Sequence, residues 1–150
     1  MARRGNGRRR SLLLGCALLL LPAACADPAR DRYEKAEKSL QYRRMEEALA
    51  GYRSIAREFP QSRYAPAALL RQGDLYGSYY RNFPAALEAY DSLVFNYPRS
   101  SEAPRALLRS SEVHLFQYLD PAAASADLER LRRDFPRFEG TDEALILQAR

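Results

Sequence analysis

From Asp27 onward this 150-residue chain has no cysteine, and the whole chain has one histidine, His114, and no tryptophan. The part beyond Asp27 therefore holds no disulfide, no thiolate metal site and no cysteine nucleophile, and a lone imidazole does not build the usual zinc sites. A surplus of charge is also missing. Of 24 basic residues, five (Arg3, Arg4, Arg8, Arg9, Arg10) lie in residues 1–26, leaving 19 against 19 acidic residues. That excludes the one-signed cationic face that nucleic-acid binding requires. Gly73 and Gly77 do not make a phosphate loop, because no glycine-rich turn follows a strand. His114 shows no catalytic partner in sequence and is expected to be a packing or groove residue. The chain is expected to be no enzyme, with no cofactor, no metal and no small-molecule substrate.

Both cysteines, Cys16 and Cys25, fall in the first 26 residues. There, ten residues rich in arginine precede the apolar run Leu12–Leu21, and the small residues Ala23, Ala24, Cys25 and Ala26 follow. This is the order of an export signal. The apolar run is about half of the roughly 20 residues that a lasting membrane helix needs. Two cleavages compete. Leu21-Pro22-Ala23-Ala24-Cys25 resembles a bacterial lipobox, with Pro22 where an aliphatic residue is usual. It implies a signal over residues 1–24, a lipidated Cys25, a short linker over 25–30 and sorting of an Ala26 lipoprotein to the outer membrane. Cleavage after Ala24-Cys25-Ala26 instead releases a soluble chain into the periplasm.

Residues 31–150 are organised by a 38-residue period. Pro60, Pro98 and Pro136 keep this spacing, as do Ser62 and Ser100, Ala65 and Ala103, Pro66 and Pro104, Leu69 and Leu107, and Arg71 and Arg109. A period of this length marks stacked repeats, each one supersecondary unit. Apolar residues at helical spacing predict helices over 29–41 and 45–58, ended by Pro60. A second hairpin opens near Ser62, has Pro66 in its first turn, and turns at Asn82 and Pro84 into a helix ended by Pro98. The third copies it, with Pro104, then Leu107, Leu108, Leu115 and Phe116 on the stripe, and Asp120-Pro121 opening its second helix. Thr141 is expected to cap a further helix that the chain leaves unfinished. Small residues at Ala48, Ala86 and Ala124, faced by Gly73 and Ser111, are expected at close helix crossings. The run Arg130, Arg132, Arg133 with Asp127, Glu129 and Asp134 reads as a solvated face, and Tyr76, Tyr79 and Tyr80 as core and rim.

The residues Ala48-Tyr52-Ile55-Pro60, Ala86-Tyr90-Leu93-Pro98 and Ala124-Leu128-Leu131-Pro136 resemble the second-helix signature of the tetratricopeptide repeat. The resemblance implies an all-α solenoid of helical hairpins, three repeats plus one further helix. The wording of residues 59–69, copied at 97–107, is similar to the BamD-like lipoproteins of outer-membrane β-barrel assembly. Next is the Tol–Pal-associated CpoB (YbgF) group. A start close behind the cysteine, without a coiled coil, favours the BamD-like side. The implied function is a scaffold that docks protein or peptide partners at the periplasmic face of the outer membrane. The alternatives are a soluble envelope adaptor and an accessory domain of a longer protein. Carrying over the groove positions of the family gives Tyr33, Glu37, Leu70, Asp74, Leu108 and Glu112, with Arg30 and Arg105 at the mouth. An apolar stripe flanked by carboxylates suits a helix or extended peptide bearing basic residues.

Overall fold

The computed structural model describes residues 27–140. Six α-helices follow one another: α1 Pro28–Gln41, α2 Met45–Glu58, α3 Ala65–Asp74, α4 Phe83–Asn96, α5 Ala103–Phe116 and α6 Pro121–Asp134. A π-helical turn, Leu75–Tyr79, extends α3, and no strand occurs among the described residues. None of these helices is long and apolar enough to cross a membrane. Cys16, Cys25, the expected signal and the expected Thr141 helix lie outside the described residues.

Helix starts follow from capping chemistry. Asp27 accepts from the backbone N–H of Ala29 and Arg30, Asn82 from Ala85, and Asp120 from Ala122 and Ala123. Each of these helices also has proline in its first two positions, where no N–H is needed. The expected helix 29–41 therefore begins one residue earlier, on Pro28. Three of the second helices meet the described turns in the same way: α2, α4 and α6 end on Phe59, Tyr97 and Phe135, each followed by its proline.

Each helix packs on the next in sequence, and α3 also touches α5. The three alanines expected at helix crossings are buried: Ala48 and Ala86 fully, and Ala124 at 3% exposed. Tyr52 and Ile55 fill the core between α1, α2 and α3, and Tyr90, Leu93, Leu107, Leu128 and Leu131 that of the following helices. Burying groups of this size stabilises by about 1.5–3 kcal/mol each.

Two regularities were not read from the sequence. Within each hairpin the turn carries a tyrosine, then a residue at positive φ: Tyr42 and Arg43 (58°), Tyr80 and Arg81 (53°), Tyr118 and Leu119 (53°). Left-handed backbone is uncommon for residues with a Cβ. The π-helical turn accompanies a change of spacing. Ala36 and Gly73 stand 37 apart while Tyr42 and Tyr80 stand 38 apart, so the second hairpin holds one more residue before its turn. There the Tyr80 N–H bonds five residues back, to the Leu75 carbonyl (3.1 Å); the third hairpin keeps the second's spacing and makes the matching bond from Tyr118 to Val113 (3.3 Å), while α5 stays α-helical to Phe116.

Two expectations are corrected. Phe116 is not on the buried stripe: it is 49% exposed at the end of α5, and Val113 takes the buried place. Asp127 does not belong to a solvated face but turns toward α5, whereas Arg133 and Asp134 pair in solvent.

Candidate functional site

α1, α3 and α5 are the first helices of three successive hairpins, and together they line one cleft. Tyr33 comes from α1, Leu70, Arg71 and Asp74 from α3, and Arg105, Leu108 and Arg109 from α5, with Phe138 closing one side. The cleft encloses about 420 Å³. The helical period places these side chains together. Tyr33, Leu70 and Leu108 hold matching positions in their helices, as do Glu37, Asp74 and Glu112.

Five of the seven expected groove residues line this cleft: Tyr33, Leu70, Asp74, Arg105 and Leu108. Leu108 is buried, whereas Tyr33, Leu70 and Phe138 are half-buried and supply reachable apolar surface. Glu112 opens instead onto an adjoining cavity of about 490 Å³, which shares Asp74 and Arg109 with the first. Arg30 does not line the cleft; it pairs with Glu34 at 2.7 Å along the exposed side of α1.

Two of the three carboxylates already hold an arginine. Glu37 accepts from the Tyr52 hydroxyl (2.7 Å) and from Arg71 Nε (2.9 Å) and Nη2 (3.3 Å). Asp74 accepts from the Tyr90 hydroxyl (3.0 Å), and Glu112 from Arg109 (2.8 Å). One pattern recurs: a carboxylate on the first helix of a hairpin takes the phenol of the second helix. In the first hairpin, an arginine from the next hairpin joins it. The third hairpin has Leu128 where a phenol would be, and Glu112 turns to Arg109.

Electrostatics follow from these contacts. Burial pushes the Tyr52 phenol far above the ordinary range, and the bond to Glu37 adds to it. Tyr90 is raised in the same way, by burial and then by Asp74. Burial works against the Arg71 charge, but Glu37 and Tyr33 outweigh it and raise the guanidinium. The bond to Glu112 does so for Arg109. Two of the three expected carboxylates, Glu37 and Glu112, are therefore neutralised by arginines, while Asp74 is held only by a phenol. Among the described residues, the charged side chains of the cleft without an ion-pair partner are Asp74, Glu102 and Arg105.

The phenol–carboxylate–guanidinium ladder was missed by sequence reasoning, although Arg71 and Arg109, and Tyr52 and Tyr90, recur at the period. A polar residue that recurs at the repeat spacing is a candidate partner for another such residue. Tyr76, Tyr79 and Tyr80 do cluster, with ring centroids 6.2 Å and 5.0 Å apart, and Tyr79 is half exposed. His114 packs on α6 rather than in the cleft. No group of three or more metal-ligating side chains exists among the described residues. No protein-family model matches this chain, and no curated protein matches it.

Proposed function

We propose that this chain is a tetratricopeptide-type scaffold that docks protein partners in the cleft between α1, α3 and α5. The observation that carries the reading is that three first helices, one per hairpin, line a single cleft whose members recur at the repeat spacing. Stacked hairpins of this kind use such surfaces for binding. The partner is an extended or helical segment that inserts apolar side chains against Tyr33 and Leu70. Asp74, Glu102 and Arg105 set its orientation, so the segment carries basic residues toward the two carboxylates and an acidic one toward Arg105.

In this reading the protein acts by binding and performs no reaction, and it needs neither cofactor nor metal. The order of the leader and Cys25 supports a lipoprotein resembling the BamD-like group, at the periplasmic face of the outer membrane in outer-membrane protein assembly. The Ala24-Cys25-Ala26 sequence supports a second reading, a soluble periplasmic adaptor.

Photo-crosslinkers at Ala67 and Arg105, with Phe95 on an exposed side of α4 as control, test the cleft in intact cells. Specific protein adducts from the first two positions and none from Phe95 are expected. Equal labelling from all three positions removes the cleft as the docking site. Labelling with a radioactive fatty acid, lost in Cys25→Ala, distinguishes the lipoprotein from the soluble chain; absence of label in the natural chain excludes the anchor.

A further inference from the structure

We propose that His114 and Asp127 form a proton-operated clasp between α5 and α6. Asp127 Oδ2 is buried and accepts no hydrogen bond. Its nearest cation-capable neighbour is His114 Nε2 at 3.8 Å, beyond hydrogen-bonding distance. Both side chains are only about a quarter exposed, at 21% and 25%. Buried carboxylate oxygens without partners are rare and costly, so this one requires a reason.

Packing does not supply it. One period earlier, the place of Asp127 is taken by Ala89, which is 6% exposed, and that of His114 by Tyr76. The second hairpin closes the same seam without a titratable pair. The third hairpin carries the one imidazole of the chain there, opposite a carboxylate oxygen that lacks a donor.

The other groups facing the pair are few, and the Tyr118 ring lies 6.2 Å from that of His114. Ser110 on α5 donates toward Asp127, Asp91 on α4 repels it, and Arg130 on α6 attracts it while also lying 3.6 Å from Asp134. None of them bonds Oδ2. A protonated imidazole donates from both ring nitrogens, whichever tautomer preceded it. Small side-chain rotations then close 3.8 Å to a charge-assisted bond across the seam. Histidine is the side chain whose ordinary charge change lies closest to neutral pH. A proton gained by His114 tightens α5 on α6. Protonation of Asp127, which burial favours, releases the pair.

Urea unfolding of the full chain, followed by circular dichroism at pH 7.5 and pH 5.5, tests the clasp. The midpoint is expected to rise at pH 5.5 in the natural chain. His114→Gln supplies a donor that does not titrate, and Asp127→Asn removes the charge; each should abolish the rise. No rise in the natural chain, or the same rise in both variants, overturns the proposal. Should a variant fail to fold, the single imidazole is read directly in the natural chain by nitrogen-15 NMR. A slowly exchanging Nε2 proton at pH 5.5 supports the clasp, and a freely exchanging one overturns it.

Discussion

Tyr90 occupies the space into which a side chain on Gly73 would project: a Cβ built on Gly73 would lie 2.3 Å from Tyr90 Cε1. Tyr90 is 3% exposed and its hydroxyl is held by Asp74, so the ring has no ready escape. Gly73→Ala should therefore destabilise by about 1–3 kcal/mol, the usual cost of overpacking a core. The third hairpin pairs Ser111 with Leu128 at the matching positions, both buried. Tyr90→Leu should relieve much of the Gly73→Ala penalty. A urea double-mutant cycle measures this, and strictly additive losses would show that the two residues do not compete for the space.

The bond between Tyr52 and Glu37 separates two kinds of loss. Tyr52→Phe removes a hydroxyl and leaves Glu37 with Arg71, and should cost about 1 kcal/mol. Glu37→Ala leaves the Tyr52 hydroxyl inside a fully buried residue without an acceptor, and Arg71 without its carboxylate. That change should cost about 1–3 kcal/mol, more than the loss of the hydroxyl alone. Thermal unfolding of the two variants gives the order; equal or reversed losses would refute it.

Alkaline pH acts on the same ladder. Burial, reinforced by a carboxylate, holds Tyr52 and Tyr90 above the ordinary phenol value in the folded chain. Their contribution to stability is intact below the unfolded value of about 10 and is lost as pH rises through the folded ones. Absorbance at 295 nm should show these two of the ten tyrosines ionising only as helicity collapses. A variant with Tyr52→Phe and Tyr90→Phe should lose stability less steeply above pH 10. Full ionisation of all ten with circular dichroism unchanged would contradict the burial argument.

Leu119 sits at φ 53° and is 79% exposed, so it has the cost of left-handed backbone without the benefit of burial. Leu119→Asn should stabilise by about 0.5–1 kcal/mol, since asparagine tolerates this conformation better than leucine. Differential scanning calorimetry reads the change. A lower melting temperature would mean that Leu119 packs on something in solution.

Much of the architecture was legible because local chemistry and global packing agree. Asn82-Phe83-Pro84 and Asp120-Pro121 each combine a cap with a proline, and both open helices where expected. Ala48, Ala86 and Ala124 recur at helical crossings because only a small side chain permits close approach. The candidate cleft was legible in its membership: Tyr33, Leu70, Asp74, Arg105 and Leu108 come together. Its charge was not, since a carboxylate in sequence gives no sign of which donor it will meet. Glu37 and Arg71 are 34 residues apart, and only the approach of α3 to α1 makes them partners. Asp127 misled for a similar reason: in a run of charges it resembles its neighbours, yet helical rotation turns it alone toward His114.

Period, capping residues and proline spacing by themselves determined where α1, α4 and α6 begin and where α2, α4 and α6 end, because these depend on backbone chemistry within a few residues. Which polar groups neutralise one another, where α3 passes into a π-helical turn, and which charges remain open in the cleft were decided only by tertiary structure. Those outcomes depend on distances between helices, and such distances arise when apolar faces pack.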